Sequence, residues 1–170
     1  MLEEAARAYG DAPALIQPGS PPLSWNQYRQ AVDEIAAGLR ALGIGKGDIV
    51  ALNSEARLEF YLADMGILAN GSVAAAMYPS YPSKDLVRTM ENAGACAAFI
   101  ESPEMLEELR EAPVRQWILL TGRAAGALAL DDLREMGRKA IELDPALTER
   151  LSSELDPSDP AILYLTSGAR

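Results

Sequence analysis

The residues best suited to bind a ligand lie at the end of the sequence, where Thr166, Ser167 and Gly168 follow the apolar run 161–165. That run has the composition of a buried strand, and ligands of open α/β sheets bind beyond the carboxyl ends of strands. Two hydroxyls and a glycine backbone can donate several hydrogen bonds to phosphate oxygens. The triplet therefore indicates the start of a phosphate-binding loop, although three residues alone also describe an ordinary Ser/Gly turn.

A second glycine-rich stretch, GIGKGD at residues 43–48, superficially resembles a dinucleotide-binding loop. That type of loop needs a strand before it and a helix after it, so that the helix N-terminus faces the pyrophosphate. Here a helical pattern precedes the glycines and a strand pattern follows them. We interpret the stretch as a helix end followed by a tight turn.

Acidic residues form two clusters that could bind a metal or share a proton. The first cluster is Glu101, Glu104, Glu107, Glu108 and Glu111, and the second is Asp131, Asp132 and Glu135. Most clusters of this kind are the solvated face of a helix, and acids at a helix start also suit the helix dipole. We interpret both clusters in this structural way.

Composition excludes several other kinds of site. The sequence has one cysteine and no histidine, so a zinc site is not expected and Cys96 is interpreted as a packing thiol in an apolar strand. The net charge of −10, without a basic run, argues against nucleic-acid binding. The acidic N-terminus does not resemble a signal peptide, and the uncharged stretch 65–83 is too polar for a transmembrane segment. These features together suggest a cytoplasmic protein.

The elements that must position these residues alternate between apolar runs and amphipathic helices. Strands are predicted around residues 48–53, 73–77, 95–100, 117–120 and 161–165, and helices over 57–71, 83–94 and 102–111. A short hairpin at residues 14–25 precedes a further helix that ends near Gly43. Because the apolar runs are continuous, we predict a three-layer α/β fold with a mostly parallel sheet and helices on both faces. No domain boundary is evident within the chain.

Three local signals mark the helix ends. Ser24 and Gln27 have the spacing of a capping box, and Ser83 is predicted to cap the helix that follows it. Ser102, with Pro103 at the first helical position, is predicted to cap another.

Several stretches, in this order, resemble the N-terminal part of the adenylate-forming enzymes. This superfamily contains the acyl-CoA synthetases, the adenylation domains of nonribosomal peptide synthetases and the luciferases. The matching stretches are residues 5–16, 23–60, 63–101 and 159–169. Residues 124–155 are the least distinctive part. The Tyr-Pro-Ser element at residues 78–80, with the helix after it, is most similar to the long-chain acyl-CoA synthetases.

The resemblance implies an ATP-dependent ligase that converts a fatty acid to an acyl-adenylate and transfers the acyl group to coenzyme A. It implies that Thr166, Ser167 and Gly168 bind ATP phosphates, while Arg170 departs from the usual Thr or Ser. ATP, Mg²⁺ and coenzyme A would serve the parent enzyme. The family's second loop glycine and its lysine are not in this sequence. Residues 1–170 are therefore expected to be the N-terminal portion of the ligase domain, truncated at the phosphate loop.

Alternatives and partners follow from the same resemblance. An aryl-CoA ligase or a peptide-synthetase adenylation domain stays open, because the acid pocket is not identifiable. A non-catalytic α/β module that binds a nucleotide or a protein is the alternative outside the family. The expected partners are small-molecule substrates, with no nucleic acid and no transmembrane segment. The isolated chain is expected to be inactive, to hold no catalytic residue, metal or cofactor, and to form homo-oligomers through exposed apolar surface.

Overall fold

The computed structural model describes residues 1–164, which form an α/β fold with seven helices and seven strands. The helices are α1 (Leu2–Tyr9), α2 (Trp25–Ala41), α3 (Leu58–Ala69), α4 (Ser83–Ala93), α5 (Pro103–Leu109), α6 (Leu130–Leu143) and α7 (Leu147–Ser153). The strands are β1 (Pro13–Leu15), β2 (Leu23–Ser24), β3 (Ile49–Asn53), β4 (Val73–Met77), β5 (Ala97–Ile100), β6 (Gln116–Leu119) and β7 (Leu128–Ala129).

The main sheet has five parallel strands in the order β4-β3-β5-β6-β7. The first two strands form a separate antiparallel hairpin. All four strands predicted between residues 48 and 120 are present within two residues of the expected ends, which confirms the parallel α/β prediction. The strand β7 was not predicted, because a strand of two residues gives no long apolar run in the sequence.

The sheet separates two apolar clusters, so the fold has three layers. Val50, Leu52 and Phe99 face the side covered by α2 and α3. Ala51 and Ile100 face the side covered by α4 and α5. Successive residues of one strand thus enter opposite clusters, as the pleat requires. Both faces are buried, which explains the continuous apolar runs of the strands.

Two predicted helix starts and one helix end are confirmed. The Ser24 hydroxyl accepts a hydrogen bond from Gln27 N, and the Gln27 side chain accepts one from Ser24 N. Ser102 caps α5 by accepting from Met105 N. Gly43, at φ 75°, ends α2 in the left-handed conformation, which confirms the interpretation of GIGKGD as a helix end and turn.

The prediction that Ser83 caps α4 is wrong. Ser83 is the first helical residue, and the cap position belongs to Pro82, which has no side-chain acceptor. The Ser83 hydroxyl instead donates to Glu108 Oε2 at 2.6 Å, which joins α4 to α5. The Pro-Ser pair shifts the helix start by one residue, and the hydroxyl then turns to a neighbouring helix.

The last predicted strand is present as a single bridge within the described residues. Ile162 pairs with Ala74 in the parallel direction, on the outer side of β4. Ala74 N donates to Ala161 O at 2.9 Å, and Leu163 N donates to Ala74 O at 2.9 Å. Because this pairing is parallel, residues 161–164 run toward the same edge of the sheet as β4 does.

No helix among residues 1–164 is long and apolar enough to cross a membrane. Cys96 lies immediately before β5, half-buried against the cluster beneath α2 and α3, which agrees with its interpretation as a packing thiol.

Candidate functional site at the carboxyl edge of the sheet

The carboxyl ends of the main strands meet at one edge, which is the expected ligand side of a parallel sheet. From β3 the chain crosses to β4 through α3 on one face, and from β4 it returns to β5 through α4 on the other face. The strand order therefore reverses between β3 and β5. A crevice at this reversal is the usual binding position of such sheets.

Glu101 closes this position by linking three neighbouring strand ends. Its Oε2 accepts hydrogen bonds from Ser54 Oγ at 2.9 Å and from Glu55 N at 2.7 Å. Its carbonyl oxygen accepts from Thr121 Oγ1 at 2.6 Å, just after β6. A carboxylate held by several donors at the mouth of the crevice repels a phosphate rather than binding it.

The interpretation of Glu101 as part of the solvated face of a helix is wrong. It follows β5 directly, and its side chain is only 25% exposed. Glu104, Glu107, Glu108 and Glu111 do lie on the exposed side of the chain around α5, as expected. The sequence offered no sign of the difference, because the partners of Glu101 lie about 46 residues away in the loop after β3.

The second acidic cluster is structural, as interpreted. Asp131 and Asp132 occupy the first turn of α6, where negative charge suits the helix dipole. Asp132 also accepts a hydrogen bond from Arg123 at 2.8 Å, and Glu135 pairs with Arg138.

Asn53, the last residue of β3, carries a buried amide without a hydrogen-bond partner among the described residues. Its oxygen and nitrogen are both enclosed between neighbouring strand ends, since Asn53 is in register with Met77 and Ile100. A buried amide in this condition costs about 1–3 kcal/mol of stability. Sequence reasoning did not single out this residue, because an asparagine after an apolar run is also a common strand end.

The described residues do not by themselves fit ATP with Mg²⁺. No group of three or more His, Cys, Asp or Glu side chains within residues 1–164 could hold a metal ion. Arg57 lies near the edge, but its Nε donates to Glu59 Oε2 at 2.7 Å and its Nη1 lies 3.5 Å from Glu101 Oε1. The predicted phosphate-binding residues Thr166, Ser167 and Gly168 lie outside the described residues.

An apolar groove of about 320 Å³ lies beside β4, near the point where residues 161–164 join the sheet. Met77, Leu86 and Leu163 line it, together with Tyr78 and Tyr81 at its rim. The two tyrosine rings lie 5.6 Å apart, and Tyr78 is 64% exposed. This groove and the segment that leads to Thr166 thus lie on the same outer side of the sheet.

Burial shifts the pKa of several groups on the face covered by α2 and α3. Burial raises the pKa of Tyr28 to about 12, with a smaller contribution from the negative charge of Asp64. Burial also raises the pKa of Asp64. Burial pushes the pKa of Glu34 upward, but hydrogen bonds from Gln30, Arg134 and Arg138 and the charge of Arg134 outweigh it, so its pKa is lowered. The three groups lie on α2 and α3, which cover one face of the sheet, and not at its carboxyl edge.

Comparison with known proteins connects this fold to a family. The family model described as "AMP-binding enzyme" matches residues 2–169. Surfactin synthase subunit 3 of Bacillus subtilis (strain 168) is 32% identical over 167 residues, covering 98% of this chain and 12% of that protein. The long-chain-fatty-acid–CoA ligase FadD15 of Mycobacterium tuberculosis (strain H37Rv) is 35% identical over 149 residues, covering 84% of this chain and 23% of the ligase.

A solved structure shows the same fold. The Mycobacterium tuberculosis fatty acyl CoA synthetase superimposes with a TM-score of 0.76 at 22% identity, over 98% of this chain and 32% of the synthetase. The chain spans less than a quarter of the length of either curated relative. Since the family model matches nearly every residue and the parallel sheet is the same, the chain belongs to the AMP-binding enzymes, the adenylate-forming ligases.

Proposed function

We propose that residues 1–170 form the N-terminal portion of a ligase domain that activates a fatty acid with ATP and transfers it to coenzyme A. In this proposal the chain supplies the parallel sheet, and Thr166, Ser167 and Gly168 begin the loop that binds ATP phosphates. Mg²⁺ and coenzyme A serve the longer enzyme. The protein acts in the cytoplasm, where a single unpaired cysteine stays reduced.

The observation that carries this proposal is the parallel bridge between Ile162 and Ala74. It directs the end of the described chain toward the carboxyl edge of the sheet, where ligands of such folds bind. Together with the family match over residues 2–169, it supports a binding role for the residues that follow Tyr164.

The choice of a fatty acid is the finer part of the proposal, and it rests on the likeness to FadD15 and on the Tyr-Pro-Ser element at residues 78–80. The identity to FadD15 is 35%, against 32% for surfactin synthase subunit 3, whose match covers more of this chain. These values are close enough that activation of an amino acid is the second candidate. An aryl acid is the third, because the anthranilate CoA ligase AuaEII has the same fold, with a TM-score of 0.73. A non-catalytic binding module is not favoured by these comparisons.

The test begins with the coding sequence after codon 170. If it continues, the longer protein is assayed for acid-dependent exchange of pyrophosphate into ATP with fatty, aryl and amino acids. Exchange only with fatty acids, and its loss in Ser167→Ala, is expected. Exchange only with amino acids or only with aryl acids would mean that the substrate is of that class and not a fatty acid. No exchange with any acid would argue against the ligase activity.

The 170-residue chain is assayed beside the longer protein. We expect it to show no acid-dependent exchange and no tight binding of MgATP by calorimetry, because electrostatic stabilisation of reacting phosphates needs several preplaced donors and cations. Micromolar affinity for MgATP in this chain would contradict the assignment of residues 1–170 as a scaffold that is incomplete on its own.

A further inference from the structure

The segment that leads to the phosphate-binding triplet is attached to the rest of the fold by a cluster of charged side chains. Lys46 Nζ lies 2.7 Å from Asp159 Oδ2 and donates to the carbonyl oxygen of Glu154 at 2.6 Å. Arg40 Nη2 donates to Glu154 Oε2 at 2.9 Å. We call these four residues, Arg40, Lys46, Glu154 and Asp159, the tail clasp. They join parts of the chain that are more than 100 residues apart in sequence.

The turn that carries Lys46 is held by hydrogen bonds that do not involve residues 154–164, which we call the tail. Gly45 N donates to Asp48 Oδ2 at 2.8 Å within the turn, and Gly47 N donates to the carbonyl oxygen of Gly71 at 2.8 Å. Ser72 Oγ donates to Gly45 O at 2.8 Å. The lysine therefore projects from a backbone that is held at several points, which lowers the entropy cost of using it as an anchor.

Gly71 gives the tail room to approach this turn. A side chain there would meet Leu155 Cδ2 at 3.2 Å and Lys46 Cβ at 3.4 Å, and the glycine has a φ of 79°. The stem of Lys46 and the side chain of Leu155 thus lie together over the bare backbone of Gly71. The clasp combines this apolar contact with the ion pairs, so it depends on more than an exposed pair of charges.

The clasp ends only two residues before the tail joins the sheet. Asp159 also accepts a hydrogen bond from Asp156 N at 2.7 Å, which closes the turn in front of Ala161. Ala161 and Leu163 then exchange hydrogen bonds with Ala74, and Leu163 reaches the groove beside β4. A shift of one residue would turn Leu163 away from this groove, because strand side chains alternate between faces.

We propose that Lys46 is a positioning residue that sets the register of residues 161–163 against β4. Through this register it directs residues 161–163 toward the carboxyl edge, and the importance of that direction for phosphate binding rests on the proposed function. Up to Tyr164, the pairing with β4 consists of one bridge, so the strand contact within residues 161–164 specifies the register weakly. Lys46 restricts the register further, because it holds Glu154 and Asp159, which precede the bridge at Ile162.

The test measures amide hydrogen exchange of the 170-residue chain by NMR. The Leu163 and Ala74 amides report the pairing, and the Phe99 amide in the central strand β5 reports global unfolding. In Lys46→Met we expect protection of the Leu163 and Ala74 amides to fall about tenfold relative to Phe99, since the Asp159 carboxylate and the Glu154 carbonyl lose their ammonium donor. Lys46→Arg should keep most of the protection, because the cation remains.

Lys139→Met is the matched control. It also removes one lysine and an ion pair, with Glu135 at 3.4 Å, but this pair lies on α6 and does not touch the tail. Its Leu163 and Ala74 amides should exchange as in the original chain. The proposal is overturned if Lys46→Met leaves their protection unchanged, or lowers it only in step with Phe99. These outcomes do not depend on nucleotide binding, so they are distinct from failure of the proposed function.

Discussion

Substitution of Gly137 by alanine should separate two helices that touch through their backbones. A Cβ added to Gly137 in α6 would lie 1.7 Å from the carbonyl oxygen of Glu34 and 2.9 Å from the amide nitrogen of Gly38, both in α2. Real Cβ atoms are not found closer than 3.0 Å to such atoms. The contact is with backbone, so no side chain can rotate away, and the helices must move apart by about 1.3 Å, from 1.7 to 3.0 Å.

The magnitude follows from two opposing effects. Alanine is favoured over glycine inside a helix by about 1 kcal/mol. Overpacking in a well-packed contact costs about 1–3 kcal/mol and occasionally more. Here the separation also stretches the contacts of Glu34 with Arg134 at 2.8 Å and with Arg138 at 3.2 Å. Because the approach of 1.7 Å to a backbone oxygen puts the overpacking cost at about 3 kcal/mol or above, we expect a net loss of about 2 kcal/mol, or about 4–8 °C in Tm for a chain of this size.

Urea unfolding followed by circular dichroism measures this loss, with m-values compared to confirm that the unfolded state is unchanged. Gly45→Ala is the matched control. Its nearest neighbour would be Arg40 Nε at 3.8 Å and its φ is outside the left-handed region, so stability should change by less than about 0.5 kcal/mol. If Gly137→Ala is as stable as the original chain or more stable, α2 and α6 do not cross at this point and the packing argument fails.

Three further predictions concern titration and association. Glu34 has a lowered pKa in the fold, so its contribution to stability is present above the unfolded value of about 4.3 and is lost as the pH falls through the folded value; unfolding of Glu34→Gln should therefore depend less on pH below about 5 than unfolding of the original chain. Tyr28 should ionise near pH 12, and Tyr28→Phe should remove this step from an ultraviolet absorbance titration; if the titration has no step near pH 12, the burial of Tyr28 is incorrect. The exposed side chains Tyr78, Tyr81 and Tyr164 leave apolar surface beside β4, so sedimentation should show self-association that Tyr78→Ser weakens, whereas a clean monomer at high concentration would count against it.

The main sheet was predictable because its strands are buried on both faces. A buried strand must be apolar along its whole length, and β3 and β5 therefore appear as continuous runs that need no knowledge of their neighbours. Caps are equally local, since Ser24 and Ser102 bond to residues three positions away. The prediction of a cap at Ser83 was wrong because its hydroxyl bonds to Glu108 on α5, a partner that is distant in sequence.

The packing of α6 could not be predicted, because its signals lie on two segments 100 residues apart. Glu34 is 2% exposed, and an isolated glutamate in a helix gives no sign that two arginines will cover it. Gly38 and Gly137 are unfavourable in helices when considered singly. Only their juxtaposition shows why glycine is needed at both places. This region, residues 124–155, was also the least distinctive in its resemblance to the family.

The arrangement of the carboxyl edge determines where a ligand can be recognised. The usual crevice, between β3 and β5, is occupied by the Glu101 carboxylate and its donors Ser54 and Glu55. An anion in this crevice would have to displace the Glu101 carboxylate from its donors. This displacement costs more free energy than binding at a position where no paired charge is disturbed. The outer side of β4 has no such obstacle among the described residues near the groove of Tyr78 and Leu163, and the tail reaches the sheet on this side. The described part of the tail therefore joins the sheet away from the acidic crevice, where the Glu101 carboxylate holds the chain ends after β3 and β5 together.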